Sequence, residues 1–225
     1  MRALLAPVLL CALLGACLSP AASVVLALIP DGTFSTLLAN MQGVDTPNQQ
    51  RLAELAQKED WPGIAAFAQK NIAADPSNAD WWLVAGYAYS KTRQFESANR
   101  CFSEAVRLAP DEIDSWNMLG ESYRVMGQTE KAIRTLNHAL QVRQDSPLTY
   151  FVLGQSYRDL DAQKKAAGYY EQAVEREPEF AQGWYELGVA YWKLGRHAEY
   201  RHVIETLRPL SPAAAKSLAS LQNAG

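Results

Sequence analysis

Residues 113–146, IDSWNMLGESYRVMGQTEKAIRTLNHALQVRQDS, decide the fold, because the chain on either side repeats them. Trp116, Leu119, Gly120, Tyr123, Ala132, Leu136 and Ala139 recur 34 positions earlier as Trp82, Ala85, Gly86, Tyr89, Ala98, Phe102 and Ala105. They recur 34 positions later as Tyr150, Leu153, Gly154, Tyr157, Ala166, Tyr170 and Ala173. A further step gives Trp184, Leu187, Gly188 and Tyr191, then Tyr200, Ile204 and Leu207. The chain has only 13 Gly and 10 Tyr in 225 residues, so four of each in one register mark an internal repeat. A period of this length means stacked supersecondary units.

Within the quoted stretch, Trp116, Leu119 and Tyr123 lie at helical spacing, and Ala132, Ile133, Leu136, Ala139 and Leu140 mark a second helical face. Met126-Gly127-Gln128 is the turn between them, with Gly127 where a helix C-terminus favours glycine. The equivalent turn carries Gly195 in the last unit but Arg93 and Asp161 in two others. A mid-helix glycine costs about 1 kcal/mol relative to alanine. Gly86, Gly120, Gly154 and Gly188 are therefore expected to face small residues, Ala98, Ala132 and Ala166, so that paired helices approach closely. Tyr200 stands where the fourth unit should have alanine, which predicts a shifted second helix there.

This pattern resembles the tetratricopeptide repeat (TPR) family: an aromatic, Leu-Gly, Tyr, then a small residue, an aromatic, Ala and Pro. Pro110, Pro178 and Pro212 fill the last slot, while the central unit has Gln144 there and Pro147 shortly after. The resemblance implies an all-α, right-handed solenoid of about four to five TPR helical hairpins with a C-terminal capping helix. Its units are a degenerate repeat at 45–78, repeats at 79–112, 113–146 and 147–180, an atypical one at 181–212, and a capping helix with tail at 213–225. In the first, Leu52, Leu55 and Ala56 form one apolar face and Trp61-Pro62-Gly63 starts a second helix closed by Asp75-Pro76. Pro209 and Pro212 are expected to end the last unit's second helix early.

The N-terminus is an address segment. Arg2 precedes an uncharged stretch from Ala3 to Pro30, and Leu4 to Leu14 is an apolar run of the kind found in secretory signals. Leu14-Gly15-Ala16-Cys17 resembles the lipobox of bacterial lipoproteins, which implies removal of 1–16 and lipidation of Cys17. Cleavage after Ala22 or Ala27, leaving a soluble periplasmic or secreted protein, and an uncut leader are the alternatives. All three export the repeats. Residues 17–44 then form a membrane-proximal segment, in which Phe34, Leu37, Leu38 and Met41 have the spacing of a short amphipathic helix. That helix either caps the stack or lies in its groove. With Cys11 in the leader and Cys17 modified, Cys101 remains alone and reads as a buried thiol.

Catalytic chemistry finds no footing. His138, His197 and His202 lack metal-ligand spacing, and the glycines fall one per repeat rather than in a phosphate loop. No catalytic residue, metal or cofactor is expected. A formal charge of −3 without a basic stripe gives no reason to expect nucleic acid.

The TPR resemblance places function on a concave groove lined by the first helix of each unit. The family's inward slots fall on Leu83, Val84 and Tyr87; on Asn117, Met118, Glu121 and Arg124; on Phe151, Val152, Gln155 and Arg158; and on Tyr185, Val189 and Trp192. Arg124 and Arg158, in the same slot of adjacent units, are expected to stack at the rim, with pairing of Arg124 to Glu121 as the alternative. Tyr, Trp and Arg are the residues of binding hot spots; for Tyr87, Phe151, Tyr185 and Trp192 packing between repeats is the alternative. Leu83, Tyr87, Met118, Leu148 and Val152 occupy the slots where some relatives grip a C-terminal carboxylate, so that clamp is not expected. The reading is a non-catalytic adaptor of the bacterial cell envelope, holding a protein or peptide segment in the groove. Leu18 after Cys17 points to an outer-membrane lipoprotein. A regulatory subunit of an envelope enzyme, or a self-assembling scaffold, is the alternative.

Overall fold

The computed structural model describes residues 33–221. The leader and Cys17 lie outside the described residues. The chain divides into two compact units, 1–41 and 42–225. In the first, the described residues form helix α1 (Thr33–Asn40), and Phe34, Leu37, Leu38 and Met41 are all buried.

In the second unit the described residues form eleven consecutive helices and no strand. Five hairpins come first: α2 (Thr46–Gln57) with α3 (Trp61–Ala74), α4 (Ala79–Lys91) with α5 (Phe95–Leu108), α6 (Ile113–Val125) with α7 (Thr129–Val142), α8 (Pro147–Asp159) with α9 (Gln163–Arg176), and α10 (Ala181–Lys193) with α11 (His197–Leu210). Helix α12 (Pro212–Leu221) closes the array. Each helix packs against its chain neighbours, and α4, α6 and α8 also touch in sequence. This is the near-neighbour pattern of a solenoid.

Helices α2, α3 and α8 begin with side-chain caps. Asp45 accepts from the Asn48 amide (2.9 Å), Asp60 from Gly63 (2.9 Å) and Ser146 from Thr149 (3.3 Å). Pro47, Pro62 and Pro147 each sit in the first turn behind those caps, where no amide partner is lost. The turns inside the hairpins are more uniform than their residues suggest. Glu59, Arg93, Gly127, Asp161 and Gly195, 34 positions apart, all adopt φ between 53° and 72°. At each, the following amide reaches back to a carbonyl five residues earlier: Asp60 to Leu55, Gln94 to Tyr89, Gln128 to Tyr123, Ala162 to Tyr157 and Arg196 to Tyr191 (2.8–2.9 Å). This bond closes a Schellman motif. The degenerate first unit therefore shares the period although it lacks the Gly and Tyr marks.

The glycines correct the expectation of small residues facing each other. A Cβ on Gly86 would meet the Phe102 ring at 2.5 Å, one on Gly120 would meet Leu136 at 2.6 Å, and one on Gly154 the Tyr170 ring at 2.5 Å. Each of these glycines makes room for the large residue sixteen positions on, and Ala98, Ala132 and Ala166 are buried as well.

In three units a tryptophan near the start binds the loop that joins it to the preceding hairpin. Trp82, Trp116 and Trp184 donate Nε1–H to the carbonyls of Pro76, Pro110 and Pro178 (3.0, 2.7 and 2.8 Å). Tyr150, whose unit follows Gln144 instead of proline, lies under the Arg176 guanidinium at 4.1 Å.

In the last hairpin Tyr200 is buried and its hydroxyl donates to the Leu218 carbonyl. The wider ring turns α11, so Gly188 faces Val203 and Leu218 instead of Ile204. Pro209 does not end α11, which runs on to Leu210. So near the C-terminus the missing amide forfeits little of the helix ladder. The capping helix starts at Pro212, one residue before the expected boundary, and seats Ala215 and Leu218 in the core.

Candidate functional site: the inner face of the first helices

The structure places the expected groove residues in two groups. Leu83, Val84, Tyr87, Asn117, Met118, Phe151, Val152 and Gln155 are all at most 7% exposed, which corrects their assignment to an open groove. Tyr87 packs its ring against Trp61 (5.7 Å), at the start of the preceding hairpin's second helix. Phe151 sits between Tyr170 (5.8 Å) and Phe180 (4.9 Å), the latter from the loop leading to α10. Asn117 accepts from the Thr149 hydroxyl at 2.6 Å and donates to Ser146 Oγ at 3.5 Å, tying α6 to the first turn of α8. These side chains hold hairpin to hairpin.

Arg124 and Arg158 do not form a free cationic rim either. Arg124 is 7% exposed. It grips Glu121 through two bonds (2.7 and 2.8 Å) and reaches Asp159 of the next hairpin at 2.6 Å. Arg158 binds Glu186 of the hairpin after that at 2.8 Å and touches Asp159 at 3.4 Å. The result is a ladder, Glu121–Arg124–Asp159–Arg158–Glu186, across α6, α8 and α10. Burial works against the Arg124 cation, but Glu121 and then Asp159 outweigh it, and its proton is held more firmly than in an ordinary arginine. Arg158 behaves likewise: burial opposes its charge, while Glu186 and Asp159 favour it. Burial, reinforced by Glu186, keeps the Tyr170 phenol neutral beneath the ladder. Its hydroxyl, like both polar atoms of the Gln155 amide, makes no hydrogen bond. Asp159 and Glu186 escaped the sequence reading. Their signal was present as acids 35 and 28 positions beyond the two arginines.

The second group remains accessible. Tyr185, Val189 and Trp192 are half-buried on α10, at i, i+4 and i+7 on one face. Trp192 leans on Tyr200 (5.0 Å) and His197 (5.4 Å). Leu160 and Leu194, the residues after α8 and α10 and 34 positions apart, are the exposed large hydrophobics of the described residues, at 43% and 36%. Among the described residues no group of three or more His, Cys, Asp or Glu side chains is placed to hold a metal ion. No helix of the described residues is long and apolar enough to cross a membrane.

Family models described as tetratricopeptide repeat match residues 79–112, 111–177 and 151–215. No curated protein sequence matches the chain. Among solved structures it is similar to MamA (20% identity over 81% of this chain and 99% of that one, TM-score 0.59). It is also similar to TTC0263, a thermophilic TPR protein of Thermus thermophilus (17% identity, 76% and 95% covered, TM-score 0.65). A third is YrrB, described as a TPR protein with an unusual peptide-binding site (19% identity, 84% and 99% covered, TM-score 0.56). At these identities the likeness establishes the fold.

Proposed function

We propose that this chain, whose residues 79–215 belong to the tetratricopeptide-repeat family, is a non-catalytic adaptor that holds a segment of a partner protein on the inner face of α10. One observation carries the reading. The residues equivalent to Tyr185 in the two hairpins before it, Phe151 and Asn117, are sealed, whereas Tyr185, Val189 and Trp192 leave two aromatic rings and a branched side chain partly in water. Rings of this kind supply large contact area at low entropic cost. The peptide-binding site reported for YrrB is consistent with such a use of the fold.

The location belongs to the same proposal. The apolar leader and the Leu-Gly-Ala-Cys17 stretch support export and lipidation of Cys17, with the repeats facing the periplasm from the outer membrane. Capture from an envelope extract tests the adaptor reading. The chain should retain a partner that Tyr185→Ala with Val189→Asp loses, and identical capture by both would refute it. Mass spectrometry of the mature N-terminus tests the anchor: diacylglyceryl-Cys17 is expected, and an unmodified N-terminus at Ser23 contradicts it.

A further inference from the structure

A different face of α10 carries a second surface. In the fourth hairpin Tyr150 and Tyr157 on α8 bracket Tyr169 of α9. The Tyr169 ring stacks on Tyr157 at 5.1 Å with the planes 5° apart, and lies 6.4 Å from Tyr150. In the fifth hairpin Trp184 and Tyr191 take the places of Tyr150 and Tyr157, but the residue 34 positions beyond Tyr169 is Val203. The turned α11 points Val203 inward, where it is fully buried and lies 3.0 Å from a Cβ built on Gly188. Val203 therefore does not take the place of Tyr169 between Trp184 and Tyr191, and His202 of α11 lines the space. A groove of about 660 Å³ remains, floored by Val174, Leu187 and Val203 and flanked by Pro178 and Ala198.

The sign of charge at this place also changes. Lys164 and Lys165 stand 34 positions before Ala198 and Glu199. Glu199 edges the fifth-hairpin groove together with Glu171, Glu175 and His202. Arg196 bridges Glu171 (3.1 Å) and Glu199 (2.9 Å) and lies 4.2 Å over the Tyr191 ring. Among the described residues, Glu175 meets the neutral amide of Gln172 at 3.1 Å. Three carboxylates against one guanidinium leave the rim acidic.

We propose that this groove between α9, α10 and α11 is a docking site for a short protein segment presenting an aromatic side chain next to a lysine or arginine. The ring would stack where the fold itself stacks Tyr169 one hairpin earlier. The cation would take the charge-assisted bond that Glu175 lacks. This goes beyond the inner-face reading and does not depend on it.

The test is a titration of the isotope-labelled full chain with the peptide acetyl-Gly-Lys-Tyr-Arg-Gly-amide, followed by NMR. Saturable shifts are expected at the Trp184 indole and at the amides of Ala198 and His202. Replacing the peptide's tyrosine by alanine, or its two cations by glutamate, should weaken binding by about tenfold. Ala198→Trp, which fills the groove from an exposed position, should do the same, and Tyr185→Ala should change nothing. The proposal is overturned if the shifts gather on Tyr185 and Val189, or if the alanine peptide binds as well. It also falls if the groove signals move with chain concentration alone, which would make a second copy the occupant. If Ala198→Trp disturbs the fold by circular dichroism, Glu175→Lys and the glutamate peptide decide, and undiminished binding in either refutes the proposal.

Discussion

Arg124 of the third hairpin donates to Asp159 of the fourth at 2.6 Å while holding Glu121 of its own helix with two further bonds. One guanidinium thus pairs with two carboxylates and couples neighbouring repeats. Removing the cation leaves both acids without it near the inner face. Breaking a fully buried pair costs about 3–5 kcal/mol. Asp159 is 30% exposed, so water recovers part of that. Arg124→Ala should lose about 2–3 kcal/mol in urea unfolding. Arg124→Lys should recover little, because a point charge cannot fork between two partners. A double-mutant cycle with Asp159→Asn measures the coupling.

The glycines separate by what stands in front of them. Gly154→Ala would push a methyl to 2.5 Å from the Tyr170 ring, and overpacking of this kind costs roughly 1–3 kcal/mol. Gly168 lies in α9 with nothing within 4 Å of a Cβ. Gly168→Ala should therefore stabilise by about 0.5–1 kcal/mol from helix propensity. Thermal unfolding of the two variants should move in opposite directions.

Left-handed turns at Arg93 (φ 61°) and Asp161 (φ 56°) carry strain that Gly127 (φ 72°) avoids. Arg93→Gly should gain about 0.5–1 kcal/mol, since glycine removes the Cβ clash. Asp161→Gly should gain less, because aspartate tolerates this region. Gly127→Ala should lose about 1 kcal/mol. Denaturant midpoints report all three.

Burial raises the Cys101 thiol from its ordinary 9.0 to about 11, with Arg100 opposing weakly. Two pH units mean about a hundredfold less thiolate (10² from 11 − 9) at neutral pH. Alkylation of the native chain should run at least about a hundredfold slower than in urea, and should speed up as pH rises toward 11. Equal rates folded and unfolded would contradict a packed Cys101.

The fold was legible because its marks are periodic. Equivalents of Gly120 and Tyr123 recur in the second to fifth hairpins as a close contact and a Schellman carbonyl, and Trp82, Trp116 and Trp184 recur as clamps to the preceding loop. What each mark touches was less legible: Gly120 faces Leu136 rather than Ala132. The inner face was read from family slots, and slot arithmetic assumes an open trough. Nothing in the slot of Phe151 announces that Phe180, in a loop, folds back over it. The ladder was missed for a related reason. Arg124 was weighed against Glu121 on its own helix, while the partner that couples the repeats, Asp159, comes from the next hairpin.

Photo-crosslinking from position 189 tests the central claim most directly. A benzophenone amino acid replaces Val189, with a control at exposed Asn137 on α7. A discrete adduct with a partner protein is predicted from position 189, absent from 137 and lost when Tyr185→Ala is added. The same adducts from both positions, or adducts only between copies of this chain, would contradict an adaptor that works through the inner face of α10.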